Sequence, residues 1–270
     1  MLSLSNVSLG SKLKNVSLTL ENQSLCVISD SKVAVNALAD VICGIKPVTS
    51  GEISQVGKTP LLAKGAPMPD FLTVNEYFDT VSALSGVSDL PPFVRENSKA
   101  LGDRRISSLK RYARMAAGVF SVIIPEGEFF FCEYPTSALT PDESAKLLSI
   151  MLSSGHSSRP IFSSDSLTDA RKADLILALY KGEQIFFGAP SELSGSLTAP
   201  VTDERLKKLV SSLERKALKK KEEYEIVQAE NAPPKKIDIS LTAFNRELDD
   251  NPYDDDDEDG QSTLFSDRKD

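Results

Sequence analysis

The chain of 270 residues contains no tryptophan, one histidine and three cysteines. With His156 as the only histidine, a His-based zinc site or a Ser-His-Asp relay is excluded as a working expectation. Cys26, Cys43 and Cys132 sit in apolar runs and lack CxxC spacing. An odd number of such cysteines fits buried thiols in a reducing compartment rather than a disulfide framework. The N-terminus has no long apolar run, and no segment reaches roughly 18 consecutive apolar residues. Neither a signal peptide nor a direct membrane insertion is therefore expected, and a membrane role would have to come through a partner.

Basic charge is also in short supply, but unevenly. Residues 231–270 hold twelve acids against five bases and so carry -7 of the total -8, leaving about -1 for residues 1–230. A near-neutral body with an acidic tail gives no argument for nucleic-acid binding. The hydrophobic share of 40% is ordinary for a globular chain, and Phe, Leu, Ile and Val suffice for a core.

Leu2 to Leu9 alternates and reads as an edge strand. Leu13 to Leu20 repeats the pattern after Gly10-Ser11, which predicts an antiparallel hairpin. Ser24 to Ser29 is a continuous apolar run, as expected of a buried strand. Val33 to Ile45 has helical spacing and stops at Gly44 and Pro47. Helices are also predicted at Val74–Leu84, at 106–120 and at Asp142–Leu152, the last following Pro141. Glu128 to Cys132 and Pro160 to Phe162 read as further buried strands. Asp174–Tyr180 and Gln184–Gly188 form a hairpin around Lys181-Gly182. Strands alternating with helices predict a mostly parallel sheet, with an antiparallel piece added by the hairpins. From Thr202-Asp203-Glu204 an apolar stripe at helical spacing predicts a charged amphipathic helix over 201–230. After Pro233-Pro234 the chain is polar and acidic, which predicts disorder over 231–270.

Five segments, in order, resemble the ATP-binding subunit of ABC transporters. Leu13 to Leu20 is similar to the strand before the P-loop of that family. Gly44 to Ile53 is similar to the end of the P-loop helix and the following turn. Leu72-Thr73-Val74-Asn75-Glu76-Tyr77 resembles the segment after the Q-loop. Glu128 to Pro141, with Pro135-Thr136-Ser137-Ala138-Leu139-Thr140-Pro141, resembles Walker B running into the D-loop. Leu179 to Leu193 resembles the closing hairpin. The resemblance covers about residues 1–195. It implies a P-loop NTPase-like α/β ABC ATPase core over residues 1–197, with an antiparallel β subdomain. The stretch between Lys64 and Ile106 is shorter than in the family, which implies a reduced helical subdomain.

The chemistry of the family is missing at position after position. A phosphate cradle needs glycines, a Lys and a Ser/Thr at the helix start. Laid on the family pattern, the glycine positions hold Ser29, Lys32 and Ala34. Val35 falls at the phosphate-binding Lys, and Asn36 and Ala37 fall at the Ser/Thr pair. Asp30 adds a negative charge. Glu133 stands at the Walker B Asp, a vestigial metal position, and Tyr134 at the water-positioning Glu. A phenol with an ordinary pKa near ~10 is a poor base at neutral pH. Lys64 stands at the Q-loop Gln, Thr140 at the D-loop Asp and Asp165 at the switch His. Of the signature loop, Ile106-Ser107-Ser108-Leu109-Lys110, only Ser107 remains. No aromatic lies between Val7 and Lys14, where the family stacks one on adenine.

The resemblance thus implies a degenerate, non-hydrolysing cassette subunit with a structural or regulatory role. No cofactor is expected, and ATP with Mg²⁺ only if the family activity survives. Its partners would be an ABC permease or a second ABC ATPase subunit, placing it in the cytoplasm, peripherally on the inner face of the membrane. Two other readings remain open at this point: a soluble scaffold that reuses the fold, and a divergent ATPase that still binds ATP.

Overall fold

In a computed structural model the chain divides into two units, Met1–Lys219 and Lys220–Asp270. The structure describes residues 1–193 and, beyond them, Glu204, Lys208, Ser211, Ser212 and Arg215, all five of which are helical. The rest of the expected helix over 201–230, and the expected acidic tail over 231–270, lie outside the described residues.

Nine strands and six helices alternate along residues 1–193. The strands are β1 (Leu2–Leu9), β2 (Leu13–Leu20), β3 (Leu25–Ser29), β4 (Ser50–Gln55), β5 (Leu61–Leu62), β6 (Phe129–Cys132), β7 (Arg159–Ser163), β8 (Leu175–Tyr180) and β9 (Glu183–Gly188). The helices are α1 (Lys32–Ile42), α2 (Val74–Ser85), α3 (Pro92–Ser98), α4 (Arg111–Ile123), α5 (Pro141–Met151) and α6 (Leu167–Ala170). They form one sheet in the order β4-β1-β2-β9-β8-β3-β7-β6-β5. The run β8-β3-β7-β6-β5 is parallel, while β4-β1-β2 and β8-β9 are antiparallel.

The continuous apolar runs of β3 and β6 follow from burial on both faces. Cys26, Ile28, Phe130 and Cys132 point into one core, packed against α2, α4 and α5. Leu25, Val27, Phe129 and Phe131 point into the other, packed against α1 and the β1–β2 hairpin. Period-two alternation therefore divides each strand between two cores.

Local chemistry sets the helix starts. Thr73 and Glu76 form a reciprocal capping box on α2, and Thr140 and Glu143 do the same on α5, where Pro141 takes the first helical position. Gly86 ends α2 in the left-handed conformation. At the β8–β9 turn Gly182 has φ +79°, and a Cβ there would lie 2.5 Å from the Lys12 carbonyl. Only glycine lets that turn press against the start of β2, where Lys14 N donates to the Gly182 carbonyl at 2.8 Å.

Two expectations need correction, and one helix was not foreseen. β1 is not an edge strand: β4 pairs outside it, from Leu2↔Gln55 to Ser8↔Ser50. The sequence Ser50–Gln55 presents mostly exposed residues, so no apolar alternation betrayed it. The helix expected over 106–120 is broken into a 3₁₀ turn at Ile106–Ser108 and α4 from Arg111. The proline-flanked stretch before it holds a second helix, α3, with Pro92 at its first position.

His156 lies in the loop after α5, as its setting among serines suggests, yet it is buried. Its ring packs against Phe93 and Phe130, with centroids 4.9 and 5.9 Å away, and Nε2 faces the Ile150 carbonyl at 3.3 Å. Burial holds its pKa below the ordinary 6.5. The unfolded chain therefore takes up this proton first as pH falls. The stability involved is fully present above about pH 6.5 and is lost as pH drops towards the folded value. Between pH 7.5 and 5.5 the thermal midpoint of the native chain should fall further than that of a His156→Phe variant. Equal falls in the two proteins would refute this role.

Candidate functional site

Most positions singled out by the family pattern, Ser29 to Ala37, Lys64, Glu133, Tyr134 and Asp165, follow the C-terminal ends of β3, β5, β6 and β7, where open α/β sheets bind ligands; Ser107 and Thr140 lie apart from these strand ends. The β3–α1 connection is short. β3 ends at Ser29 and α1 begins at Lys32, so only Asp30 and Ser31 lie between them. Both are tied down locally. Ser29 Oγ accepts from Ser31 N at 3.1 Å, and Asp30 Oδ1 accepts from Lys181 N at 3.0 Å, which pins the turn to the β8–β9 hairpin. Because the helix starts this early, Val35 and Ala37 face the core and are buried, while Lys32 and Asn36 point outward and are exposed.

Glu133 leaves the end of β6 with its side chain nearly buried, at 8% exposure. Its Oε2 accepts from Lys64 N at 2.9 Å. With the Asn36 amide oriented so that its nitrogen faces acceptors, that nitrogen donates to the Lys32 carbonyl at 2.8 Å and to Glu133 Oε1 at 3.3 Å. Three positions far apart in sequence, Asn36, Lys64 and Glu133, are thus joined by direct hydrogen bonds. Each carboxylate oxygen has a protein donor.

Tyr134 follows in the left-handed conformation, φ 49°, with its N–H donating to Ser163 Oγ at 2.8 Å. Such a backbone costs a non-glycine residue of order 1–3 kcal/mol and persists only where its surroundings enforce it. The ring is buried, with Lys64 Nζ 5.0 Å and Lys32 Nζ 5.8 Å from its centroid. Burial first, then the charges of Asp165 and Glu133, push the phenol well above its ordinary range. At neutral pH Tyr134 is therefore protonated and can donate a hydrogen bond but cannot accept a proton.

The remaining positions are placed as follows. Asp165 is exposed in the loop after β7, beside a cleft that Tyr134 also lines. Thr140 is occupied as the cap of α5. Ser107 is exposed on the 3₁₀ turn, its N–H donating to the Asp70 carbonyl at 3.3 Å. Glu133 and Asp40 also act on Cys43, whose thiol is pushed to about 12, chiefly by burial. Among the described residues no three His, Cys, Asp or Glu side chains group to hold a metal ion, and no helix is long and apolar enough to cross a membrane.

Sequence reasoning missed Arg111 and Arg114, which border the cleft next to Lys64 and Glu133. The available signal was Lys110-Arg111 and Arg114 at a helix start. Cations are disfavoured there by the helix dipole.

No known family profile and no curated protein sequence matches the chain. Solved structures do. The chain is similar to an inward-facing metal-chelate type ABC transporter, with TM-score 0.63 and 18% identity over 72% of this chain and 85% of that one. It is similar to a dimeric bacterial ABC transporter cassette, MJ0796, with TM-score 0.60 and 15% identity over 73% of this chain and all (100%) of that one. It is also similar to cbiO1 from Clostridium perfringens, part of the ABC transporter complex cbiONQ, with TM-score 0.60 and 15% identity over 71% and 89% of the two chains. The protein has the fold of an ABC transporter ATP-binding cassette.

The Asn36–Glu133 contact should be measurable by a double-mutant cycle with Asn36→Ala and Glu133→Ala in urea unfolding. Glu133→Ala leaves Lys64 N–H without its acceptor and should cost about 1–3 kcal/mol. The coupling between the two sites should be about 1 kcal/mol. A coupling indistinguishable from zero would mean that the two side chains do not interact.

Proposed function

We propose that this chain is a non-hydrolysing subunit of an ABC-type assembly, acting structurally or as a regulator beside a permease or an active ABC ATPase. The reading rests on one observation above all: Glu133 is satisfied by Asn36 and by the Lys64 backbone. In the family that carboxylate position belongs to the shell of a Mg²⁺ ion shared with the helix-start hydroxyl. Here Asn36 stands near that place, and with its amide turned to donate it satisfies the carboxylate itself. The two-residue β3–α1 turn leaves no glycine-rich stretch to wrap phosphates, and the buried Val35 offers no charge to them. The protonated Tyr134 cannot take a proton from an attacking water. The residues present do not fit a Mg-nucleotide, so no hydrolytic step is assigned to them.

The dimeric MJ0796 cassette has also been seen with ADP and phosphate. In dimers of this family each site takes its cradle from one subunit and its signature from the other. A chain altered in both would disable both composite sites of any pair it joined. With cbiO1 as part of a larger complex, the same fold supports a permease-associated place for this chain, on the cytoplasmic face of a membrane.

Calorimetric titration of Mg-ATP into the full chain should give no micromolar binding, and a coupled assay should give no turnover. Micromolar binding with turnover that falls in a Glu133→Ala variant would overturn the proposal.

A further inference from the structure

Beside the altered cassette positions lies a cleft of about 360 Å³ between the 62–68 segment, α4 and the turn after β6. Its size is that of a small-molecule site. Its floor is apolar, made by Leu62, Met68 and Met115. Gly118 lets α4 pack closely on that floor: a Cβ there would stand 3.1 Å from the Leu62 side chain. Glycine inside a helix costs about 1 kcal/mol relative to alanine, so the close approach is kept against propensity.

The rim is cationic. Lys64 Nζ has one weak side-chain partner, Ser137 Oγ at 3.4 Å, and lies 5.0 Å from the Tyr134 ring centroid. Arg111 uses Nη1 on the Ala138 carbonyl at 2.9 Å, which leaves further guanidinium donors at the rim. Arg114 is held by Asp70. The one acid lining the cleft, Glu133, already has both oxygens engaged. α4 has no acid in its first turn and no side-chain cap, yet begins with Arg111 and carries Arg114 one turn on. Those charges work against the helix dipole. Departures from local preference of this kind mark functional places.

We infer that this cleft binds a small organic oxyanion, a carboxylate or phosphate monoester, whose head meets Lys64 and Arg111 and whose apolar body lies on Leu62, Met68 and Met115. No residue of 29–37 lines the cleft, but Lys64, Glu133 and Tyr134 do, so the inference rests on the proposed reading that those positions hold no Mg-nucleotide.

Calorimetry on the full chain with hexyl phosphate and with hexanoate tests this, with inorganic phosphate and hexanol as controls. At least one hexyl anion should bind, and the two arms distinguish the head groups. Across propyl, butyl and hexyl homologues affinity should rise up to about fourfold per buried methylene. Lys64→Met and Arg111→Met should each weaken binding about tenfold or more. Arg111→Lys, which keeps the charge, should lose less than Arg111→Met. Unchanged thermal midpoints would confirm that these variants fold. The inference fails if neither hexyl anion binds or if the Met variants bind as tightly as the native chain. It also fails if inorganic phosphate matches hexyl phosphate, which would mean an adventitious ion only.

Discussion

A carboxylate at the end of a strand that is buried on both faces must find partners, because an unpaired buried charge costs several kcal/mol. Glu133 is in that position, and the arrangement around it follows from the need to satisfy it. The 62–64 segment presents the Lys64 N–H, and α1 begins early enough for Asn36 to reach the second oxygen. Tyr134, next along, is turned into the left-handed region and tucked between two lysines. A network with both lone-pair clusters used is rigid, since moving any member leaves another without a partner. The corner is filled by the chain's own side chains.

Much of the fold was legible because the signals were local. The unbroken apolar runs of β3 and β6 carried their own two-sided burial. The alternation of Leu2–Leu9 and Leu13–Leu20 gave the hairpin, and Pro141 before Asp142 gave the start of α5. What escaped lacked such a signal. β4 is stabilised by pairing with β1 rather than by an apolar face. β5 has only two residues. His156 is buried because Phe93 and Phe130 close over it, and they come from elements some 60 and 26 residues earlier in the chain.

The candidate site divides in the same way. The order of the motifs pointed to these residues as a group, and the structure brings several of them together. What those residues do could not be read from that order. The Asn36–Glu133 contact joins positions nearly a hundred residues apart, and no spacing rule predicts it. Equally, the cationic rim assembles Lys64 with Arg111 only after α4 is laid across the sheet. Charges read one helix at a time suggest a solvated face, and their convergence is a property of the tertiary structure.

The junction between the two kinds of sheet carries a further consequence. β2 and β9 share a single registered pair, Lys14↔Glu183, reinforced by the Lys14–Glu183 ion pair and by Ser17 N donating to the Gln184 side chain. On either side the ladders are long: β1–β2 and β1–β4 in one direction, β8–β3–β7 in the other. In backbone pairing the nine strands are two cloths joined by one stitch, while the core under α1 is shared by both. Amide protons should divide along that seam into two cooperative exchange groups, with Gly182 as the point where the stitch is tied.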